Sequence, residues 1–147
     1  MSAKPAATLR DARSLISEGL VPESAFADLE RVAARYAVAI TPDVAGLIDP
    51  ADPDDPIARQ YVPRTEELSV SLKELIDQIG DHAHSPVEGI VHRYPDRVLL
   101  KLVHVCAVYC RFCFRREIVG PGKERALSPQ AYATAIDYIR TRSEIWE

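Results

Sequence analysis

The sequence is poor in cysteine, glycine, methionine and tryptophan, with three, six, one and one respectively in 147 residues. It has no long apolar run; nothing approaches the roughly 20 residues that cross a bilayer as a helix. A membrane protein of that kind is therefore not expected. Met1 to Arg13 lacks the apolar stretch of a secretory signal, so the cytoplasm is the expected compartment. Neither sign of charge dominates: 18 lysines and arginines stand against 22 acidic residues, for a net charge of −4. That balance argues against a nucleic-acid coat. Three cysteines, an odd number, make a poor disulfide framework. What remains is ordinary globular composition, 47% hydrophobic and 27% charged. The length is enough to bury a real core. It falls short of the roughly 250 residues of a complete eight-stranded β/α barrel.

The apolar pattern gives a helical N-terminal region over residues 1–90 and a β/α region over residues 91–147. The first 20 residues are weakly patterned and are expected to be partly mobile. From Ser24, the stripe Phe26, Leu29, Ala33, Tyr36, Ala37 and Ile40 is spaced by threes and fours, as on a helix. Thr41-Pro42 restarts a short helix, with Thr41 as N-cap and Pro42 at its first position. Residues 49–56 read DPADPDDP, with four aspartates and three prolines; such a stretch sustains neither helix nor central strand and is expected to be an extended acidic connector. Thr65 caps a further expected helix, with Leu68, Leu72, Leu75, Ile76 and Ile79 on its apolar face and Gly80 at its stop.

Residues 81–94 are loop-like and hold His82, His84 and His92. Val98 to Val105, VLLKLVHV, is a nearly continuous apolar run of strand length. It suggests a strand covered on both faces, as in a parallel sheet. Ser128-Pro129 opens another helix with Tyr132, Ala135, Ile136 and Ile139 on one face, and Arg140 and Arg142 lie at its end, where cations are favoured. Ile145-Trp146-Glu147 has the look of a second strand beginning. Strand, loop, helix and incipient strand make the start of a β/α unit.

All three cysteines fall within eight residues, at Cys106, Cys110 and Cys113. Clustered thiols in a cytoplasmic chain read as a metal site. Three thiolates on a short loop can hold three corners of an iron–sulfur cluster. A four-iron cluster would then keep one iron open to a substrate or cofactor. Structural zinc with His104 as a fourth ligand is the alternative. A plain electron carrier is disfavoured by the missing fourth cysteine. Between Val91 and Arg125, eight basic residues (Arg93, Arg97, Lys101, Arg111, Arg115, Arg116, Lys123, Arg125) face only Asp96, Glu117 and Glu124. Guanidinium groups on loops beside a strand suit a phosphate or carboxylate; a solvated basic face is the competing reading.

The spacing Cys-x3-Cys-x2-Cys after a buried strand, with Phe112 before the third cysteine, resembles the radical S-adenosylmethionine signature. The flanks, His92-Arg93-Tyr94-Pro95-Asp96-Arg97 and Cys113-Phe114-Arg115-Arg116-Glu117, resemble the lysine 2,3-aminomutase family. So do Ile40-Thr41-Pro42, Leu47-Ile48-Asp49-Pro50, Asp55-Pro56-Ile57 and Ala83-His84-Ser85-Pro86-Val87. The resemblance runs from about Ile40 onward. It implies an α/β fold, with the helical region followed by the first β/α unit of a partial, truncated TIM-like barrel. It implies a [4Fe-4S] cluster on Cys106, Cys110 and Cys113, S-adenosylmethionine on the open iron, and pyridoxal phosphate. In the family, an electron from the reduced cluster cleaves S-adenosylmethionine to a radical. That radical takes a hydrogen from the amino acid's β-carbon, and the amino group moves between adjacent carbons.

By the same resemblance, Phe112 lies near the adenine, and Arg93, Tyr94 and Arg97 help form the pyridoxal phosphate pocket. Arg115 pairs with the substrate carboxylate. Arg116 and Arg97 also suit surface ion pairs. The implied partners are a small amino acid and a cluster reductant, with no nucleic acid or membrane and a homo-oligomer for the full-length enzyme. Two family elements have no match here: the glycine-rich stretch after the second strand, and the lysine that holds pyridoxal phosphate, which Lys4, Lys73, Lys101 and Lys123 do not match. The chain is thus expected to be an N-terminal fragment, inactive alone. The Phe114-Arg115-Arg116 run also resembles the branch that makes β-lysine for an elongation factor, and glutamate in place of lysine stays open.

Overall fold

The computed structural model describes residues 7–69, 71 and 74–147. Its chain divides into two compact units: residues up to Glu74 with Cys106–Lys123, and Leu75–Val105 with Glu124–Glu147.

The first unit is built from short helices. α1 (Ala12–Ser17) starts at a capping box, in which the Ser14 N–H donates to Asp11 Oδ1 at 2.7 Å and the Asp11 N–H donates to Ser14 Oγ at 3.3 Å. Ahead of it, Leu9 bridges Ile40 through a reciprocal pair of backbone hydrogen bonds. Residues 9–17 therefore form local structure and contribute to the core, which their weak pattern did not suggest. Hydrophobic burial of Leu9 and Leu15 outweighs the weak local pattern. α2 (Phe26–Arg35) buries Leu29 and Val32. It ends at Tyr36, and the chain runs on in extended form through Ile40. α3 (Pro42–Ala45) has Thr41 as its N-cap residue and proline at its first position, as expected.

The acidic connector is not extended. Asp55 folds it into turns by accepting the Ala58 N–H at 2.6 Å and the Asp49 N–H at 3.2 Å, and so caps α4 (Pro56–Tyr61). These N–H groups, that of Ala58 foremost, hold the Asp55 carboxyl below its ordinary range. The core comprises Leu9, Leu15, Val38, Ile40, Ala45, Ile48 and Val62. Each fully buried aliphatic side chain in it, such as Leu15 or Ile40, contributes about 1.5–3 kcal/mol.

The helix expected over residues 65–80 does not form along its described part. Only a single 3₁₀ turn, Thr65–Leu68, is present, starting after Arg64. Leu75, Ile76 and Ile79 are exposed, and Leu72 lies outside the described residues. An apolar stripe with nothing to pack against gains little by becoming helical.

The second unit holds a two-stranded antiparallel hairpin, β1 (Ile90–Tyr94) and β2 (Arg97–Leu100). Ile90 pairs with Leu100, Val91 with Leu99, and Tyr94 with Arg97, with an irregularity between Val91 and Tyr94. Val98–Val105 is therefore not one doubly covered strand. β2 ends at Leu100, and residues 102–104 pair instead with residues 125–127, through Leu127 N–H to Leu102 O and His104 N–H to Arg125 O. Leu99, Leu102, Val103 and Val105 remain exposed, because the returning chain pairs locally and covers only part of the run.

α5 (Pro129–Arg140) is capped by Ser128, whose Oγ accepts the Ala131 N–H at 3.1 Å. It buries Ala131 and Ala135, whereas Tyr132 faces solvent. Residues 146 and 147 return beside β2, with Trp146 N–H to Asp96 O and Val98 N–H to Glu147 O, each at 3.0 Å. Strand, helix and returning segment follow one another in the expected order, but the sheet among the described residues is the antiparallel pair β1–β2, not a parallel one. The architecture is a mix of helices and one small sheet, with no closed barrel among the described residues.

Candidate functional site

The residues nominated from sequence fall into two sets, one in each unit.

In the first unit, residues 106–119 form a chain of turns: Cys113 N–H to Cys110 O, Arg116 N–H to Cys113 O and Ile118 N–H to Arg115 O. All three cysteines are half-buried and free. Their donor set, three unpaired thiols on one loop, suits an iron–sulfur cluster. Among the described residues, no three His, Cys, Asp or Glu side chains converge as a ready ligand group. Phe112 stands out, 76% exposed. Arg115 directs Nη2 at Cys106 Sγ, 3.7 Å away, and its guanidinium lies 6.0 Å from the Phe114 ring.

The loop is fastened to the extended stretch after α2. Tyr109 N–H donates to Ala39 O at 3.0 Å, and Arg111 N–H donates to Gln60 O at 2.7 Å. Arg116 donates to Tyr36 Oη at 2.7 Å and stacks 4.1 Å above the same ring, while its Nε lies 3.6 Å from Glu117. Arg111, between the second and third cysteines, is the deepest anchor. It grips Glu67 with a fork of contacts, Nε at 3.0 and 3.2 Å and Nη2 at 2.6 Å. Its Nη1 donates to Ala37 O at 2.7 Å. The side chains are 7% and 13% exposed, so this is a buried pair. At the end of the loop Gly120 has φ +121°, and a Cβ there would come 3.0 Å from the Ala37 nitrogen.

The second unit carries the HRYPDR segment across the β1–β2 hairpin. Arg93, Tyr94 and Arg97 line an open cleft of about 280 Å³, together with Asp81, Val91, Val98, Leu99 and Glu147. Arg93 Nη2 donates to Ile79 O at 2.7 Å and to Asp81 Oδ1 at 3.1 Å. Arg97 grips Asp96 bidentately at 2.9 and 3.0 Å and sits 3.6 Å from Glu147. The Arg97 hydrogen bonds hold the Asp96 carboxyl below its ordinary range. His92 does not line the cleft. Its Nδ1 makes a 2.7 Å hydrogen bond with Tyr138 Oη on α5, the rings meeting edge to face at 87°. His104 and the pair His82 and His84 join no metal-holding group among the described residues.

Sequence reasoning placed Arg111 in a basic set awaiting an external anion; the structure gives it an internal one, Glu67. Nothing in the local sequence marks Glu67. The only signal for Arg111 was a charge between two cysteines in otherwise apolar company. The partners Tyr36 of Arg116 and Tyr138 of His92 were also missed as polar groups: Tyr36 read as part of an apolar helical stripe, and Tyr138 was not singled out.

No protein-family profile matches the chain. Curated relatives do. An L-lysine 2,3-aminomutase of Clostridium subterminale is 42% identical over 108 residues, 74% of this chain and 26% of that protein. A putative L-lysine 2,3-aminomutase of Aquifex aeolicus is 38% identical over 138 residues, 94% of this chain and 36% of that protein. A glutamate 2,3-aminomutase of Clostridioides difficile is 36% identical over 117 residues, 80% of this chain and 27% of that protein. The chain therefore spans roughly a quarter to a third of the length of these relatives.

Proposed function

We propose, from the premise that this chain belongs with the lysine 2,3-aminomutases and matches a part of one, that it carries the cofactor-gathering portion of a radical S-adenosylmethionine amino acid 2,3-aminomutase. The observation that carries the reading is the 38% identity over 94% of the chain, taken with three free thiols on one anchored loop. L-lysine is the proposed substrate, with β-lysine as the product. The relative named for glutamate keeps glutamate as the second amino acid to test.

In this reading Cys106, Cys110 and Cys113 hold a [4Fe-4S] cluster, which when bound supplies the electron for cleaving S-adenosylmethionine. Pyridoxal phosphate, when bound, supplies the electronic delocalisation that lets an amino group move between neighbouring carbons. The chain's own residues bind and orient. Arg93 and Arg97 offer guanidinium donors to a phosphate in the cleft, and Tyr94 offers an exposed ring beside them. Phe112 offers an exposed aromatic face next to the third cysteine, suited to a purine. Arg115, on the cysteine loop, offers a cation for a carboxylate.

The test is anaerobic reconstitution of the chain with iron and sulfide. A brown chromophore that bleaches on reduction, with iron and sulfide in equal amounts, is the expected outcome. A colourless protein that takes zinc instead would replace this reading with a structural metal module. Triple replacement of the cysteines by serine abolishes the chromophore.

A further inference from the structure

We infer that Arg111 and Glu67 are a positioning pair for the cysteine loop, setting the shape in which Cys110 and Cys113 are presented. The inference rests on the cluster reading of those cysteines and adds to it two residues that touch no cofactor.

The loop's contacts are unequal. Tyr109 and Arg116 hold it by one hydrogen bond each to the stretch after α2. Arg111 holds it from both ends of the residue: its N–H to Gln60 O, and its guanidinium to the Glu67 carboxylate and to Ala37 O. The planar fork matches a carboxylate in two directions at once, so it fixes rotation as well as distance. Arg111 directly follows Cys110 and lies two residues before Cys113, and the backbone of the turn between them closes through Cys113 N–H to Cys110 O at 3.2 Å. A side chain locked this firmly inside the turn limits where both sulfurs can go. Gathering the sulfurs around a cluster then happens on a backbone whose midpoint is fixed. That restriction lowers the ordering cost of binding, the same logic by which groups behind metal ligands raise affinity.

A buried ion pair can also act as mere glue, so the experiment separates the two roles. The 147-residue chain and three variants (Glu67→Gln, Arg111→Met and the double Glu67→Met/Arg111→Met) are loaded anaerobically with iron and sulfide. Iron release to a chelator is followed by the loss of cluster absorption, while circular dichroism reports folding. Apolar side chains of similar volume commonly restore the stability of a broken buried pair, so the double variant is expected to fold. It is nevertheless expected to release iron roughly tenfold faster than the parent, the scale typical of lost supporting contacts at metal sites. Glu67→Gln, which keeps an oxygen acceptor but not the charge, falls between. A folded double variant that retains its cluster like the parent overturns the positioning role and leaves only a stabilising one. A parent chain that takes up no cluster overturns the cluster reading itself, whatever the variants do.

Discussion

Replacing Gly89 by alanine tests how tightly the β1–β2 hairpin is seated. Gly89 lies just before β1 with φ +85°, and an added Cβ would fall 2.3 Å from Leu127 Cδ1 and 3.2 Å from its Cγ. Its carbonyl accepts the Lys101 N–H at 2.7 Å, so the backbone is not free to swing away. Three contributions set the size of the effect. A left-handed conformation costs an L-residue about 1–2 kcal/mol. Loss of glycine's freedom in the unfolded chain returns about 0.4–1 kcal/mol. Driving Leu127 off its rotamer or shifting the backbone costs about 1–3 kcal/mol. The sum is a loss of about 1–4.5 kcal/mol, read as a shift in the urea midpoint followed by circular dichroism. The cycle with Leu127→Ala isolates the overlap. In the double variant only the backbone contribution of the alanine persists, so the two substitutions should couple by about 1–3 kcal/mol, the size of the overlap. A loss under about 0.5 kcal/mol for Gly89→Ala, or strict additivity with Leu127→Ala, would refute the reasoning.

Further outcomes follow from other contacts. Leu15→Ala opens a cavity at a fully buried position and should cost about 2–5 kcal/mol in urea unfolding; a surface-like change within about 0.5 kcal/mol would mean that α1 is not part of the core. Tyr138→Phe keeps the edge-to-face ring but removes the His92 hydrogen bond, for an expected loss of about 0.5–1.5 kcal/mol, and amide exchange along β1 should quicken. Asp55, whose folded pKa lies below the ordinary 3.8, binds its proton more weakly folded than unfolded. Its contribution is present above that ordinary value and disappears as pH falls through the folded one. Asp55→Asn should therefore flatten the acid limb of the urea-midpoint profile below about pH 4; an unchanged limb would exclude Asp55 as a source of acid sensitivity.

Much of the local architecture was legible where sequence carries its own geometry. Pro42 after Thr41 and Pro129 after Ser128 both open helices, because proline's fixed φ and missing N–H suit the first turn. The helical spacing from Phe26 matched α2 as far as Arg35, but Tyr36, Ala37 and Ile40, expected on the same stripe, lie in the non-helical stretch after it. What failed needed distant partners. The stripe at Leu75, Ile76 and Ile79 has helical spacing but no surface to bury against. VLLKLVHV has strand composition, yet its hydrogen bonds go in two directions, to β1 and to residues 125–127. Asp55 looked like one more acid in a connector, because a cap shows only once Ala58 turns back onto it. HRYPDR could be singled out only through its family resemblance, since the hairpin that brings Arg93, Tyr94 and Arg97 to one cleft lies partly in a stretch expected to be a loop. Glu67 could not, because 44 residues separate it from Arg111.

The stretch that anchors the cysteine loop has a consequence for how this sequence can drift. Its grip at Ala37 and Ala39 runs through backbone carbonyls, accepting from Arg111 and from the Tyr109 N–H. Carbonyl oxygens are the same in every residue, so these two positions are limited only by bulk: Ala39 by complete burial, Ala37 by the nearness of Gly120. The grip at Tyr36 and Glu67, by contrast, uses side-chain oxygens that few residues supply. A saturation library scored for folding should therefore tolerate serine or glycine at 37 and 39. At 67 it should tolerate almost nothing unless 111 changes with it.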